Sequence, residues 1–163
     1  MNIFIGYGYN EKDKWIEELI YPLVRSFEAT IISGKDLHGQ SISKAVVERI
    51  KSSDGMLAFM TCREQFGQHG YYTTHVWVRD ELITAINHDI PCVEIKEKMV
   101  DPQLGITGDR ERIEFDESNK AQLLVDLSKV LCEWRRKLKP RRLFLLPKDI
   151  AIDARPCLKK GTL

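Results

Sequence analysis

The chain predicts a single α/β domain in three layers, with a five-stranded parallel sheet held between two layers of helices. Three observations predict it. Short β-branched or aromatic runs alternate with longer segments of helical period along most of the 163 residues. One run, Met56 to Met60, is apolar at every position, as a strand covered on both faces must be. Strand, helix and strand in repeated succession also require right-handed crossovers, which wind a chain into one sheet with helices on both sides.

Each element has a local reason. Asn2 to Tyr7 is a β-branched and aromatic run ended by the turn Gly6-Tyr7-Gly8-Tyr9-Asn10, which makes it the first strand. From Glu11 to Phe27, the apolar residues Trp15, Ile16, Leu19, Ile20, Leu23, Val24 and Phe27 recur at helical spacing. Pro22 interrupts this helix at a cost of about 3 kcal/mol, so a kink or break is expected near Tyr21. Ala29 to Ser33 is the second strand, closed by Gly34, and Lys35 to Gln40 is a polar loop. Ser41 is a good N-cap for a second helix whose buried stripe is Ile42, Ala45, Val46 and Ile50. After the Met56 strand, Thr61 to Thr74 is a long connection rich in Gly, Gln, His and Tyr, and such loops are usually functional or mobile. His75 to Asn87 reads as the third helix, Cys92 to Ile95 as the fourth strand and Ile113 to Phe115 as the fifth. Lys96 to Arg112 is polar and broken by Pro102, Gly105 and Gly108. Ser118 or Asn119 caps a last helix with Leu123, Leu124, Leu127, Val130, Leu131 and Trp134 on its apolar face, ending in Arg135-Arg136-Lys137, which suits the helix dipole.

At 43% hydrophobic, a chain of this length buries a core without staples. With 25 Lys and Arg against 24 Asp and Glu, it carries no overall field to recruit nucleic acid or an anionic membrane. Cys62, Cys92, Cys132 and Cys157 match neither zinc-site nor redox-pair spacing, and read as free thiols in a reducing compartment. His69 and His75 have no metal-ligand spacing to Cys62, so no metal is expected. There is no basic leader and no apolar stretch of membrane-spanning length, which reads as a cytoplasmic protein. Residues 140–163 carry prolines at 147 and 156 in a basic frame and read as a linker or the start of a further domain, so that the domain proper is 1–139 of a longer protein.

The third helix is the most informative stretch. Trp77 and Glu81 are four residues apart, which places an indole and a carboxylate one turn apart near the helix start. A flat aromatic beside an acid suits a nucleotide, although a core anchor and a first-turn acid favoured by the helix dipole give the same pattern. In a doubly wound sheet, ligands bind at the carboxyl ends of the strands. That rule gathers Gly6 to Asn10, Gly34 to Gln40, Thr61 to Tyr72 and the start of the third helix around one crevice. Tyr7 is a candidate stacking surface there and Tyr9 a weaker one, though a tyrosine pair beside a turn also serves plain packing.

These pieces, taken together and in order, resemble the Toll/interleukin-1 receptor (TIR) domain over roughly Met1 to Leu138. Phe4-Ile5-Gly6-Tyr7 looks like its first-strand signature, where Ser is more usual than Gly6. Asp36 to Ser41, leading into a helix that ends at Ser53-Asp54, looks like its second-strand loop and following helix. Met60-Thr61 ends the third strand, and Trp77-Val78-Arg79-Asp80-Glu81-Leu82 looks like the Trp-x-x-x-Glu helix start of the NAD⁺-cleaving, bacterial-type branch.

The resemblance implies a flavodoxin-like fold and cleavage of the nicotinamide N-glycosidic bond of NAD⁺, with Glu81 as the catalytic carboxylate, NAD⁺ as substrate and no separate cofactor. Nicotinamide is already a cationic leaving group, so the reaction needs stabilisation of an oxocarbenium-like ribose more than it needs a general acid. On this reading Gly6, Tyr7, Trp77, Lys35, Asp36 and Ser41 line the substrate, and Leu37, His38, Gly39 and Gln40 belong to a loop that completes a neighbouring subunit's site. The implied partners are further copies of the chain, as an oligomer or filament, and an appended sensor domain. The implied role is an assembly-activated effector in immune or antiphage defence. Two other classes remain open, a non-enzymatic TIR adaptor working through homotypic contacts and a nucleoside deoxyribosyltransferase-like enzyme. A phosphoacceptor receiver is disfavoured, because the first strand is not followed by paired acids and Met60-Thr61 stands where an Asp is required.

Overall fold

The structure, a computed structural model, describes residues 1–34, 44–66, 70–101 and 112–138. Its strands are β1 (Asn2–Gly6), β2 (Thr30–Ile32), β3 (Gly55–Met60), β4 (Gln65–Phe66), β5 (Tyr71–Tyr72), β6 (Cys92–Glu97) and β7 (Arg112–Phe115). Its α-helices are α1 (Tyr21–Ser26), α2 (Lys44–Lys51), α3 (Val76–Asn87) and α4 (Lys120–Lys137). Five strands form one parallel sheet in the order β2-β1-β3-β6-β7, with Ile3 beside Ile31, Gly6 beside Ala58, Met60 beside Lys96 and Glu97 beside Phe115. This is the flavodoxin-like order, and its topological switch lies between β1 and β3.

Period-two alternation sends the side chains of each strand into two separate cores. Ile3, Ile5, Leu57, Phe59, Val93, Ile95, Ile113 and Phe115 face one layer, where Ile16, Ile20, Val24, Leu123, Leu127, Leu131 and Trp134 cover them. Phe4, Met56, Ala58 and Met60 face the other, under Val46 and Ile50 of α2 and Val78, Leu82 and Ala85 of α3. Because β3 lies inside both, all six of its residues are buried.

Several expectations need correction. Helical conformation runs unbroken from Glu11 to Ser26 but changes type: a 3-10 turn at Glu11–Asp13 and a π turn at Ile16–Ile20 precede α1. Pro22 sits in the first turn of α1, where its missing N–H is harmless, and the wider π turn absorbs the lost hydrogen bond just before it. The connection from Thr61 to Thr74 holds a small hairpin, since β4 pairs antiparallel with β5. The sheet also runs further than the sequence suggests, because Lys96 and Glu97 are buried residues of β6. Neither Ser118 nor Asn119 caps α4 with its side chain. Asp116 instead accepts from both the N–H and the hydroxyl of Ser118, at 3.0 and 2.6 Å, and closes the preceding turn. The candidate loop residues at 35–41, the second-helix residue Ile42, His69 and the 140–163 segment lie outside the described residues. Among the described residues no helix is long and apolar enough to cross a membrane.

The orientation of α4 is open to direct measurement. Leu127 is fully buried against the sheet, whereas Val125 on the same helix is 51% exposed. Leu127→Ala is expected to cost about 2–5 kcal/mol in chemical denaturation and Val125→Ala less than about 0.5 kcal/mol. Equal losses would show that the helix presents a different face.

Candidate active site

At the carboxyl end of β1, next to the switch point, the chain has no side chain at Gly6, and the carboxylate of Glu81 fills the space. A Cβ at Gly6 would lie 2.6 Å from Glu81 Oε2, and one at Gly34, just beyond β2, would lie 3.1 Å from Oε1. Glu81 belongs to the stripe Val78, Glu81, Leu82 and Ala85 that α3 turns toward the sheet. Helical spacing therefore drives its carboxylate inward along with the apolar side chains. It is 6% exposed, and Oε2 has no hydrogen-bond partner. Burial pushes its pKa up to about 8, with a smaller contribution from the adjacent Asp80 carboxylate.

Tyr9 lies beside the Glu81 carboxylate. Its hydroxyl accepts the Gly34 N–H at 2.8 Å, tying the exit of β2 to the exit of β1. Burial, then the nearby Glu81 carboxylate, push the phenol pKa up. The backbone of Tyr9 takes a left-handed conformation (φ 48°), unusual for an aromatic residue, as the turn after β1 reverses. Tyr9, the weaker candidate in the sequence, is thus the tyrosine beside Glu81.

Tyr7 is a correction. Its ring is buried in the opposite layer, and its hydroxyl donates to Glu17 Oε1 at 2.6 Å and lies 3.3 Å from that of Tyr21. It has no free face on which a ligand could stack, because strand alternation points residue 7 away from residue 6. Trp77 is placed differently from expectation as well. It is 48% exposed and packs its edge against the His75 ring at 5.3 Å, one helical step outside the buried stripe. Of the sequence candidates, Gly6 and Glu81 meet in space, Tyr7 is buried in the other core, Trp77 is exposed beside His75, and Lys35, Asp36, Leu37, His38, Gly39, Gln40 and Ser41 lie outside the described residues.

A second polar cluster shares this rim and was not singled out in the sequence. Arg63, after β3, pairs with the fully buried Asp13, and Arg63 Nη2 occupies the volume that a Cβ at Gly8 would need. His75, at the N-cap of α3, has its pKa lowered by burial and then by the Arg63 charge, with Asp13 opposing. Asp13 Oδ1, Arg63 Nε and His75 Nδ1 all lack partners. Only the Asn10-x-x-Asp13 turn had a local signal, since Asn10 Oδ1 accepts the Asp13 N–H at 3.1 Å. Cys62 is no nucleophile at neutral pH, because burial and then Glu97 push its thiol up to about 12.

No family model matches the chain, and no curated protein matches its sequence. Solved structures with a similar chain path include a 2-deoxyribosyltransferase from Bacillus psychrosaccharolyticus, 14% identical, with a TM-score of 0.49 over 80% of this chain and 96% of that one. The flavoenzyme FerB, an NAD(P)H:(acceptor) oxidoreductase from Paracoccus denitrificans, is 12% identical, with a TM-score of 0.44 over 83% and 97%. The TIR domains of the activated Roq1 resistosome, which recognises the effector XopQ, are 17% identical, with a TM-score of 0.40 over 83% and 79%.

The burial of Glu81 has a measurable consequence for stability. A carboxyl whose pKa is raised on folding binds its proton more tightly in the folded state. The folded protein therefore loses stability as pH climbs from about 4.5 to about 8 and carries the full cost above that. The cost is roughly 3–5 kcal/mol, at 1.36 kcal/mol per tenfold. Glu81→Gln removes the charge and keeps the shape. It should melt higher than wild type by several degrees at pH 9, with the difference vanishing below about pH 4.5. A pH-independent difference would mean that the carboxylate is solvated.

Proposed function

We propose that this chain is a TIR-like NAD⁺ glycohydrolase in which Glu81 stabilises the ribosyl cation formed as nicotinamide leaves. The observation that carries the reading is the unpartnered Oε2 of Glu81, sealed against Gly6 at the mouth of the switch-point crevice. A carboxylate held away from water and without a counter-charge is destabilised, and a cation placed beside it gains most of what solvation would have supplied. In NAD⁺ the positive charge sits on the nicotinamide ring in the ground state and moves to the ribose as the glycosidic bond breaks. A fixed negative charge under the ribose therefore binds the transition state better than the substrate. The electron pair of the C–N bond leaves with neutral nicotinamide, so no proton donor is needed. Water captures the cation to give ADP-ribose and releases a proton; capture by an adenine nitrogen gives a cyclic product instead.

The same reading makes the chain an effector that works when copies assemble, with residues 35–40 reaching a neighbouring site, an appended domain as sensor and defence in the cytoplasm as the setting. The exposed Val76, Trp77 and Ile83 on α3 favour the alternative of an adaptor that acts through contacts alone.

The deciding experiment incubates NAD⁺ with the chain, concentrated or clustered on a surface, and follows nicotinamide release. Glu81→Gln is expected to lower the rate by about a hundredfold or more while the protein remains folded. The wild-type kcat/KM should rise about tenfold per pH unit and level off near pH 8, as Glu81 ionises in the free enzyme. Equal release by wild type and variant would remove Glu81 from the mechanism. Release of nothing by the clustered wild type would favour the adaptor, and exchange of bases on a deoxynucleoside with NAD⁺ untouched would favour deoxyribosyl transfer.

A further inference from the structure

Two residues beyond Gly6, the exit of β1 admits a second charged side chain from another element. Gly8 has no Cβ, and the Arg63 guanidinium lies in the space together with the Asp13 carboxylate that pairs with it. Two residues of extended chain span at most about 7 Å. Glu81 and Arg63 thus each contact a glycine of the exit of β1, at positions two residues apart in the chain. One sugar separates the anomeric carbon of a nucleotide from its 5′-phosphate, a separation of the same order.

Arg63 is suited to meet that phosphate. Asp13 is fully buried, so it fixes the guanidinium in place and is itself closed to solvent, while the Arg63 side chain retains 14% exposure at the rim. Only Nη2 is bonded among the described residues, and Nε has no acceptor. A guanidinium carries five N–H donors in a fixed fork, and one monodentate carboxylate leaves most of them for a second oxyanion. Lys12, beside Asp13, brings a further cation against the same segment, its Nζ donating to the Cys62 carbonyl at 3.3 Å. Glu97 of β6 is occupied by the Cys62 N–H at 2.7 Å, and Glu64, the acid next to Arg63 in the chain, is exposed. The start of α3 adjoins the cluster through His75, whose side chain makes no capping hydrogen bond, and the first turn of α3 contains no acid. Its amide groups and dipole add to the preference for an anion.

We propose that Arg63, positioned by Asp13 across Gly8 and backed by the start of α3, is a phosphate subsite that makes the crevice select a phosphate-bearing nucleotide over a free nucleoside. The inference rests on the NAD⁺ reading for its place in the reaction, but it is tested by binding alone. ADP-ribose, inorganic pyrophosphate and adenosine are titrated against the whole chain by calorimetry. The double variant Asp13→Asn/Arg63→Gln removes both charges without leaving a buried acid unpaired, and Gly8→Ala displaces the guanidinium without changing any charge. Each variant is first shown to unfold cooperatively.

Wild type is expected to bind ADP-ribose and pyrophosphate, with adenosine much weaker. Both variants should weaken ADP-ribose roughly tenfold or more and leave adenosine unchanged. Where nicotinamide is released, KM for NAD⁺ rises by the same factor with kcat within about threefold, and cleavage of nicotinamide riboside is unaffected. ADP-ribose binding through Arg63 in a chain that never cleaves NAD⁺ would leave the subsite standing and overturn only the reaction. Failure of the folded wild type to bind either phosphate compound, or undiminished ADP-ribose binding in both folded variants, would overturn the subsite.

Discussion

A carboxylate that cannot reach water sits at the end of the first strand, and much of the surrounding structure is arranged around it. Glu81 fits only because residues 6 and 34 lack side chains, because α3 turns this position toward the sheet, and because Tyr9 ties the exits of two strands together. The strand order matters equally, since it opens the sheet between β1 and β3 where those exits diverge. A cost of several kcal/mol at one side chain is a large fraction of the stability of an ordinary domain. Two separate cores, one on each face of a fully buried β3, are what allow the fold to carry it.

The charge state of that carboxylate follows its occupant. Near neutral pH Glu81 is largely protonated, held so by burial and by Asp80. A cation bound against it reverses the balance, because a nearby positive charge favours the ionised form. A cationic substrate would thus generate the anion that its own reaction needs, while a neutral nucleoside would leave the acid protonated. The other candidate groups are quiet by the same reasoning. Cys62 keeps its proton under burial and the Glu97 charge, and His75 is biased toward the neutral imidazole beside Arg63.

Much of the fold was legible because periodicity is local and the sheet is not subtle. Met56 to Met60 could only be a doubly covered strand, and Leu123 to Trp134 could only be one face of a helix. Glu81 was legible for a related reason, the four-residue spacing to Trp77, although that spacing put the two side chains on one face and the helix buries one while exposing the other. What sequence could not show was contact across elements. Nothing near Gly8 announces that Arg63, far along the chain, will occupy its missing side chain, and nothing in Tyr7 distinguishes a stacking surface from a core ring. The π turn before Pro22 was half legible, as a break was expected but its form depends on packing.

The distribution of unsatisfied groups bears on whether the rim is a site or a flaw. Buried polar atoms without partners are rare in folded proteins, and each removes stability that selection would otherwise recover. Among the described residues Asp13, Thr61, Arg63, His75 and Glu81 hold such atoms toward one edge of the sheet, and Arg79 on α3 and Glu94 inside β6 hold two more. Within the first group, two glycines two residues apart are met by an acid at one and a guanidinium at the other. Such an arrangement is costly when empty and complementary when filled by a ligand that is cationic at its sugar and anionic at its phosphate. That pairing of charges within one molecule is what a pyridinium dinucleotide presents and what a free nucleoside lacks.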